Sequence, residues 1–235
     1  MSEDWDDLAP WWRLEVENDP AYASDVHPIL VELMPEPVGT AMDLGCGEGQ
    51  GMRRIGQGAL GCDLSQDLLV QADSGGRVAR TRLPDLRWLK EAALDTAFSV
   101  YLLDLIEDHG AFFEAVARTV KRDGSLVIVI NHPAYTSPGS APFADMEGEI
   151  LWRWGSYFSL GSSTEPAGPG EVRFFHRPMA DLLSAAATAG WKLEAMIERG
   201  LSPETIARIP GYEGQEVIPR LLGVRWTLCG SEPEH

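Results

Sequence analysis

The chain has 235 residues, 44% of them hydrophobic, and a formal net charge of −17, which is enough apolar material for one α/β domain with a real core. A charge of that sign repels phosphate backbones and anionic bilayers, so nucleic acid and membrane are disfavoured as partners. No apolar run is long enough to span a bilayer, and Cys46, Cys62 and Cys229 form no C-x-x-C pair behind an acidic start that lacks a secretory core; a reduced, cytoplasmic protein without a metal site is expected.

The first stretch holds Trp5, Trp11, Trp12 and Tyr22, followed by Val26 to Met34 with apolar residues at helical spacing and Pro35 and Pro37 to end them. Residues 1–36 therefore read as a helical cap ahead of the first strand. Its aromatics either staple a helix to the sheet or cover a pocket, since Trp and Tyr suit both.

Val38, Ala41, Met42 and Leu44 make a run too short for a helix, followed by a glycine loop, a short helix over Gln50 to Ile55 and a second apolar run from Ala59 to Cys62. Strand, loop, helix, strand is a crossover: the two strands lie parallel and the loop sits at the carboxyl end of the sheet, where open α/β folds bind ligands. Gly45, Gly47 and Gly49 leave the loop backbone open to close approach. Asp63 ends the second strand twenty positions after Asp43, where a carboxylate accepts hydrogen bonds from both hydroxyls of a ribose. A dinucleotide loop spaces its glycines G-x-G-x-x-G so that a helix N-terminus meets a pyrophosphate. Here Asp43-Leu44-Gly45-Cys46-Gly47-Glu48-Gly49 puts an acid ahead of the first glycine, which opposes a pyrophosphate and suits an ammonium or sulfonium. A glycine-rich turn beside a solvated aspartate is the plain alternative.

Together with Gly61-Cys62-Asp63-Leu64-Ser65, that loop resembles the first two motifs of the class I S-adenosylmethionine-dependent methyltransferases of small-molecule type. The resemblance implies an α/β fold with a doubly wound Rossmann-like sheet, mostly parallel with an antiparallel last strand, and helices on both faces. It implies S-adenosyl-L-methionine as cofactor, held by Asp43, Gly45, Cys46, Gly47, Gly49, Asp63 and Leu64. In this family the N-terminal region often forms a lid, which would bring Trp11, Trp12 and Tyr22 to the substrate.

Gln66 to Ala72 reads as a helix and residues 73–76 as a turn. Family members carry an aspartate after the third strand that meets the adenine amino group; Asp85-Leu86 is the match, with a turn acid after Pro84 as the alternative. The run from Ala97 to Leu103 resembles the fourth strand, with Leu103 at the cofactor. The segment that follows often reads H-H-I-E-D in the family, whereas here it is Asp104-Leu105-Ile106-Glu107-Asp108. Asp104 then either faces the sulfonium or a cationic substrate, or caps a helix starting near His109. Phe112, Phe113, Val116 and Val120 share one helical face, with Arg118, Lys121 and Arg122 at its C-terminal end. Asp123-Gly124 closes that helix, and Ser125 to Ile130 is a buried fifth strand that carries His132 to the sheet's carboxyl edge.

From Ala134 to Gly170, Pro, Gly and Ser mix with Tyr135, Phe143, Trp152, Trp154, Tyr157 and Phe158. So many large apolar groups must be buried somewhere. Residues 134–175 are therefore expected to cover the substrate, with Tyr135, Trp152 and Tyr157 facing it, or else to form the surface of a homodimer. Met179 to Ala189 reads as a helix, and Trp191 to Ile197 and Gly223 to Cys229 as the last two strands, joined by an irregular stretch over residues 201–219. Methyl transfer needs a protein base only when the acceptor must lose a proton; His132 and His176 are the candidates, each with a turn-stabilising role as its alternative. Two functions stay open: methyl transfer to a small, partly aromatic metabolite, or a cofactor-binding protein of the same fold in a non-methylating or sensing role. A nicotinamide dehydrogenase is disfavoured by the glycine spacing, and modification of protein or RNA has no basic groove in its favour.

Overall fold

A computed structural model describes residues 5–56, 58–72 and 77–229; the turn read at 73–76 lies outside them. In chain order the helices and strands are α1 (Trp5–Asn18), α2 (His27–Leu33), β1 (Ala41–Leu44), α3 (Gln50–Ile55), β2 (Leu60–Asp63), α4 (Gln66–Ala72), β3 (Val78–Arg80) and β4 (Leu94–Val100). Then come α5 (His109–Thr119), β5 (Val120–Asn131), α6 (Pro133–Thr136), β6 (Ala141–Ala144), β7 (Ile150–Arg153), β8 (Gly161–Ala167) and β9 (Gly170–His176). The chain closes with α7 (Met179–Thr188), β10 (Trp191–Arg199), α8 (Pro203–Arg208) and β11 (Leu221–Leu228).

Seven strands form one sheet in the order β10-β11-β5-β4-β1-β2-β3. The first five of the chain run parallel, and β11 runs antiparallel between β5 and β10. This is the doubly wound, mostly parallel sheet with an antiparallel last strand that the sequence implies. Strand β5 shows why the sheet is covered twice. Leu126, Ile128 and Ile130 point to a cluster with Phe112, Phe113 and Val116 of α5 and Leu182 and Ala186 of α7. Val127 and Val129, one residue out of phase, point to Ile29, Leu30 and Leu33 of α2. Successive side chains on a strand leave opposite faces, so a continuously apolar strand needs a helical layer on each side.

Several boundaries differ from the sequence reading. The aromatic N-terminal stretch is a full helix, α1, with Pro10 inside it, and a π-helical turn (Tyr22–Val26) leads into α2. Helix α5 stops at Thr119 because Val120 turns extended and buries against the core. Lys121 therefore lies outside the helix, and its Nζ pairs with Asp95 at 2.7 Å. Strand β4 ends at Val100, since Tyr101 takes a left-handed φ of 55°. Residues 141–176 form two antiparallel hairpins, β6 with β7 and β8 with β9.

Helix α2 lies on β11 where Gly223 presents no side chain: a Cβ there would overlap Ile29 Cγ2 and lie 2.7 Å from Leu33 Cδ1. We expect Gly223→Val to lower stability by about 1–3 kcal/mol through overpacking, read as a lower Tm in thermal unfolding; an unchanged Tm would mean that α2 moves off the sheet freely.

Candidate active site

The loop after β1 is tied to the end of β2 through its own backbone N–H groups. Gly45 and Cys46 N–H both donate to the Cys62 carbonyl, at 2.8 and 3.0 Å. Gly47 N–H donates to Asp63 Oδ2 and Ser65 N–H to Asp63 Oδ1, each at 2.9 Å. Gly45 and Gly47 hold φ of 73° and 51°, which a side chain would strain. Burial raises the Asp63 carboxyl, while the N–H groups of Ser65, Gly47 and Leu64 pull it back toward the ionised form. Each Asp63 oxygen thus spends one lone pair on the backbone and keeps capacity for a further donor. Asp63, Gly45, Gly47 and Leu64 line a cavity of about 130 Å³, closed by Trp5, Trp12 and Leu83. An acid beside a side-chain-free loop and an apolar wall fits an adenosine with its ribose on Asp63.

Other expected cofactor residues stand elsewhere. Asp43 is buried and does not line this cavity. It accepts from Met52 N–H in the first turn of α3, and burial, with the Asp63 charge next, raises its pKa well above the usual carboxylate range. Cys46 packs with Met52, Ala59, Leu69 and Ala72, and Gly49 caps α3. Asp85 is an exposed acid paired with Arg87 at 2.7 Å, and that guanidinium holds its carboxyl down at about 2. Leu86 and Leu103 are core residues. The wall positions are taken instead by Thr81, Arg82 and Leu83 and by Leu102 and Leu105. Thr81 N–H still pairs with the Asp63 carbonyl at 2.8 Å, so the segment after β3 meets the cavity before it reaches Asp85.

A second cavity of about 480 Å³ shares Trp5, Trp12, Tyr101 and Leu105 with the first. Trp11 and Tyr22 also line it. A third, also of about 480 Å³, shares Asp104, Asn131, Phe174 and Arg220 with the second and is lined by Tyr135, Trp152 and His176. Helix α1 is held over the first two by Asp6, whose Oδ1 accepts from Ser65 Oγ at 2.8 Å and whose Oδ2 meets Arg80 Nη2 at 3.0 Å.

The two histidines separate. His132 lines none of these cavities: its Nε2 meets Glu198 Oε1 at 2.7 Å and its Nδ1 accepts from Ala134 N–H at 3.0 Å. Both nitrogens are engaged in holding the end of β5. His176 lines the third cavity, donates from Nε2 to the Tyr157 carbonyl at 2.8 Å, and keeps a buried Nδ1 without a partner among the described residues. Burial lowers its pKa, which favours the neutral imidazole. Tyr157 itself lines none of the three cavities; its hydroxyl accepts from Met179 N–H at 3.1 Å.

Asp104 occupies a position that the sequence reading left open. The cap of α5 is Asp108, whose Oδ1 accepts from Ala111 N–H at 2.8 Å, so Asp104 is free of that task. It lines the second and third cavities, and burial pushes its pKa up to about 7 against the pull of Arg177. Arg177, which the sequence reading passed over, donates to the carbonyls of Leu103, Ile106 and Glu107. Its only sequence signal is the basic residue between His176 and Pro178.

Residues 42–128 match the family of the methyltransferase domain. An S-adenosylmethionine-dependent methyltransferase from Mesorhizobium loti is similar at 27% identity with a TM-score of 0.73, covering 85% of this chain and 96% of that one. The chain carries a methyltransferase domain and is an S-adenosylmethionine-dependent methyltransferase. This methyltransferase also shares its fold with one described as a putative member from Listeria monocytogenes, at 23% identity, a TM-score of 0.74, and 88% and 98% coverage. A third, from Thermotoga maritima, is 16% identical with a TM-score of 0.64 over 97% and 100% of the two chains. No curated protein matches.

Asp63→Ala in this methyltransferase is expected to weaken S-adenosylhomocysteine binding by about tenfold or more, because a hydrogen bond to a charged group contributes roughly 1.5–3 kcal/mol. Isothermal titration with circular dichroism on the same sample checks it; unchanged affinity in a folded variant would assign the ribose to another group.

Proposed function

We propose that this methyltransferase acts on a small, partly aromatic metabolite bound in the second cavity. The observation that carries the reading is the shared wall of Trp5, Trp12, Tyr101 and Leu105 between the cofactor cavity and a larger one ringed by Trp11, Tyr22, Phe174 and Tyr212. A flat apolar acceptor would find aromatic rings there beside a few polar groups, as small-molecule sites require. In this reading residues 1–36 act as the cap and residues 134–175 as the cover of one catalytic domain. Cys46 and Cys62 are buried and all three cysteines are free, which supports action in the cytoplasm. Among the described residues no helix is long and apolar enough to cross a membrane.

The bound cofactor supplies an electrophilic methyl group on a sulfonium. The protein's share is to align the acceptor atom with it and to exclude water, which can supply most of the acceleration of an in-line displacement. An acceptor that carries a proton gives it to Asp104, the carboxylate facing the second cavity. His176 stands one cavity further from the cofactor with its free nitrogen enclosed, and His132 serves the backbone. Transfer of labelled methyl to phenols and aryl amines tests the substrate class; label appearing in protein or RNA fractions and in no small molecule would end the reading.

Two pH experiments follow from Asp104. With a pKa of about 7, it is increasingly the active carboxylate as pH rises, so kcat/KM should climb through a midpoint near 7. Asp104→Asn should remove that limb and cost about 10²–10⁴-fold in rate; a parent profile flat from pH 5 to 9 would exclude Asp104 as base. Stability runs the other way. The folded pKa is raised above 3.8, so the folded state binds the proton more tightly than the unfolded chain. That contribution is full below about pH 3.8 and lost as pH rises through about 7. Asp104→Asn should accordingly raise Tm at pH 8 and leave it unchanged near pH 4, as thermal unfolding at the two pH values can verify.

A further inference from the structure

We propose that the acceptor carries a carboxylate and that the guanidinium of Arg220, in the wall between the second and third cavities, receives it. The inference rests on the acceptor site proposed above and adds the substrate's charge.

Arg220 immediately precedes β11, and its backbone is fixed on both sides: its N–H donates to the Arg199 carbonyl and its carbonyl accepts from His132 N–H, both at 2.8 Å. The side chain is fixed as well. The guanidinium carbon lies 3.4 Å from the centre of the Tyr135 ring and 5.3 Å from that of Tyr212. Nη2 reaches the Tyr212 hydroxyl at 3.4 Å. Yet no carboxylate among the described residues pairs with it directly; Asp19, in the wall of the same cavity, acts on it only through space. No ion pair involves Arg220 among the described residues, and its Nη1 is buried without a hydrogen-bond partner. Desolvation pushes its pKa down to about 10, which still leaves it charged at neutral pH.

The contrast with Arg177, a buried arginine, is informative. Arg177 spends its donors on three carbonyls of one turn and on that of Phe175, which is a structural task. Arg220 keeps an unused donor and a charge without a direct ion pair in a wall common to two cavities. A desolvated cation with a buried, unused donor is costly until an anion arrives, so the free protein holds a site organised in advance for one.

The chemistry of the anion follows from its surroundings. Asp19, Glu15 and Asp104 share the second cavity and Glu165 the third, so a dianion such as a phosphate monoester meets net repulsion. A monoanion that matches the guanidinium fork is a carboxylate. Arg220 does not line the cofactor cavity, so this carboxylate is a handle and a second group on the ligand, a hydroxyl or an amine, accepts the methyl. The acceptor class is thus a hydroxy- or amino-substituted aromatic acid.

The test uses the full chain saturated with S-adenosylhomocysteine and two probes of equal shape, 4-hydroxyphenylacetate and 4-hydroxyphenylacetamide, titrated calorimetrically. The acid should bind about tenfold or more tighter than the amide. Arg220→Met should abolish the preference while leaving S-adenosylhomocysteine affinity as in the parent, and Arg220→Lys should keep part of it. Equal binding of acid and amide by the parent would overturn the carboxylate site alone, whether or not any variant folds. A preference that survives in Arg220→Met would assign it to another cation and overturn the proposal too. Binding of neither probe by protein that still takes S-adenosylhomocysteine would overturn the aromatic-acceptor reading and this inference with it.

Discussion

The site depends on the convergence of two backbone N–H groups, from Gly47 and Ser65, on the carboxylate of Asp63. The Ser65 bond is local, two residues along the chain, but the Gly47 bond exists because β1 and β2 lie side by side in parallel, with Leu44 opposite Cys62, so that the loop leaving one strand meets the residue ending the other. The carboxylate is thereby oriented before any ligand arrives. A group whose position is set in advance spends less of its binding energy on being ordered. The left-handed backbone at Gly45 and Gly47 removes side chains from the same place, so one short motif supplies both the acid and the room beside it.

A second constraint acts at the end of β4. Tyr101 turns the chain with a positive φ, an uncommon state for a large residue and one that persists when the surroundings enforce it. Its N–H is held by the Val129 carbonyl at 2.9 Å. Beyond it Arg177 gathers the carbonyls of Leu103, Ile106 and Glu107. The turn so held brings Leu105 to the wall shared by the first two cavities and Asp104 to the wall shared by the last two. In this chain the aspartate takes a place where the family often has histidine, and burial moves its proton affinity into the range where a histidine would work.

Charge is unevenly arranged inside this acidic protein. Asp43 and Asp63 are both raised by burial, and each also feels another buried or nearby acid. Against them, Arg220 is a desolvated cation with no direct ion pair among the described residues and one donor, Nη1, unused. A low-dielectric interior strengthens such interactions, for and against a ligand, well beyond their surface values.

The sequence by itself determined the sheet and the cofactor. Strand β5 is apolar at every position from Leu126 to Ile130, and such a run is stable only between two helical layers. The acid-glycine loop and Asp63 at its distance carry their own geometry, because neighbours along the chain and one strand pairing suffice to assemble them. What lies across the fold was not legible. Asp85 has the right residue type for the adenine, yet the chain meets the cavity at Thr81 to Leu83 first. His132 reaches the sheet edge as expected, but Glu198 of β10 and Ala134 take both its nitrogens, a fact that depends on a residue sixty-six positions away. Arg220 sits in a stretch with no pattern at all, and its meaning comes from Tyr135 and Tyr212 closing around it. Local spacing fixes what the chain can form next to itself; only the packing of distant segments decides which side chains are already satisfied and which are left to meet a ligand.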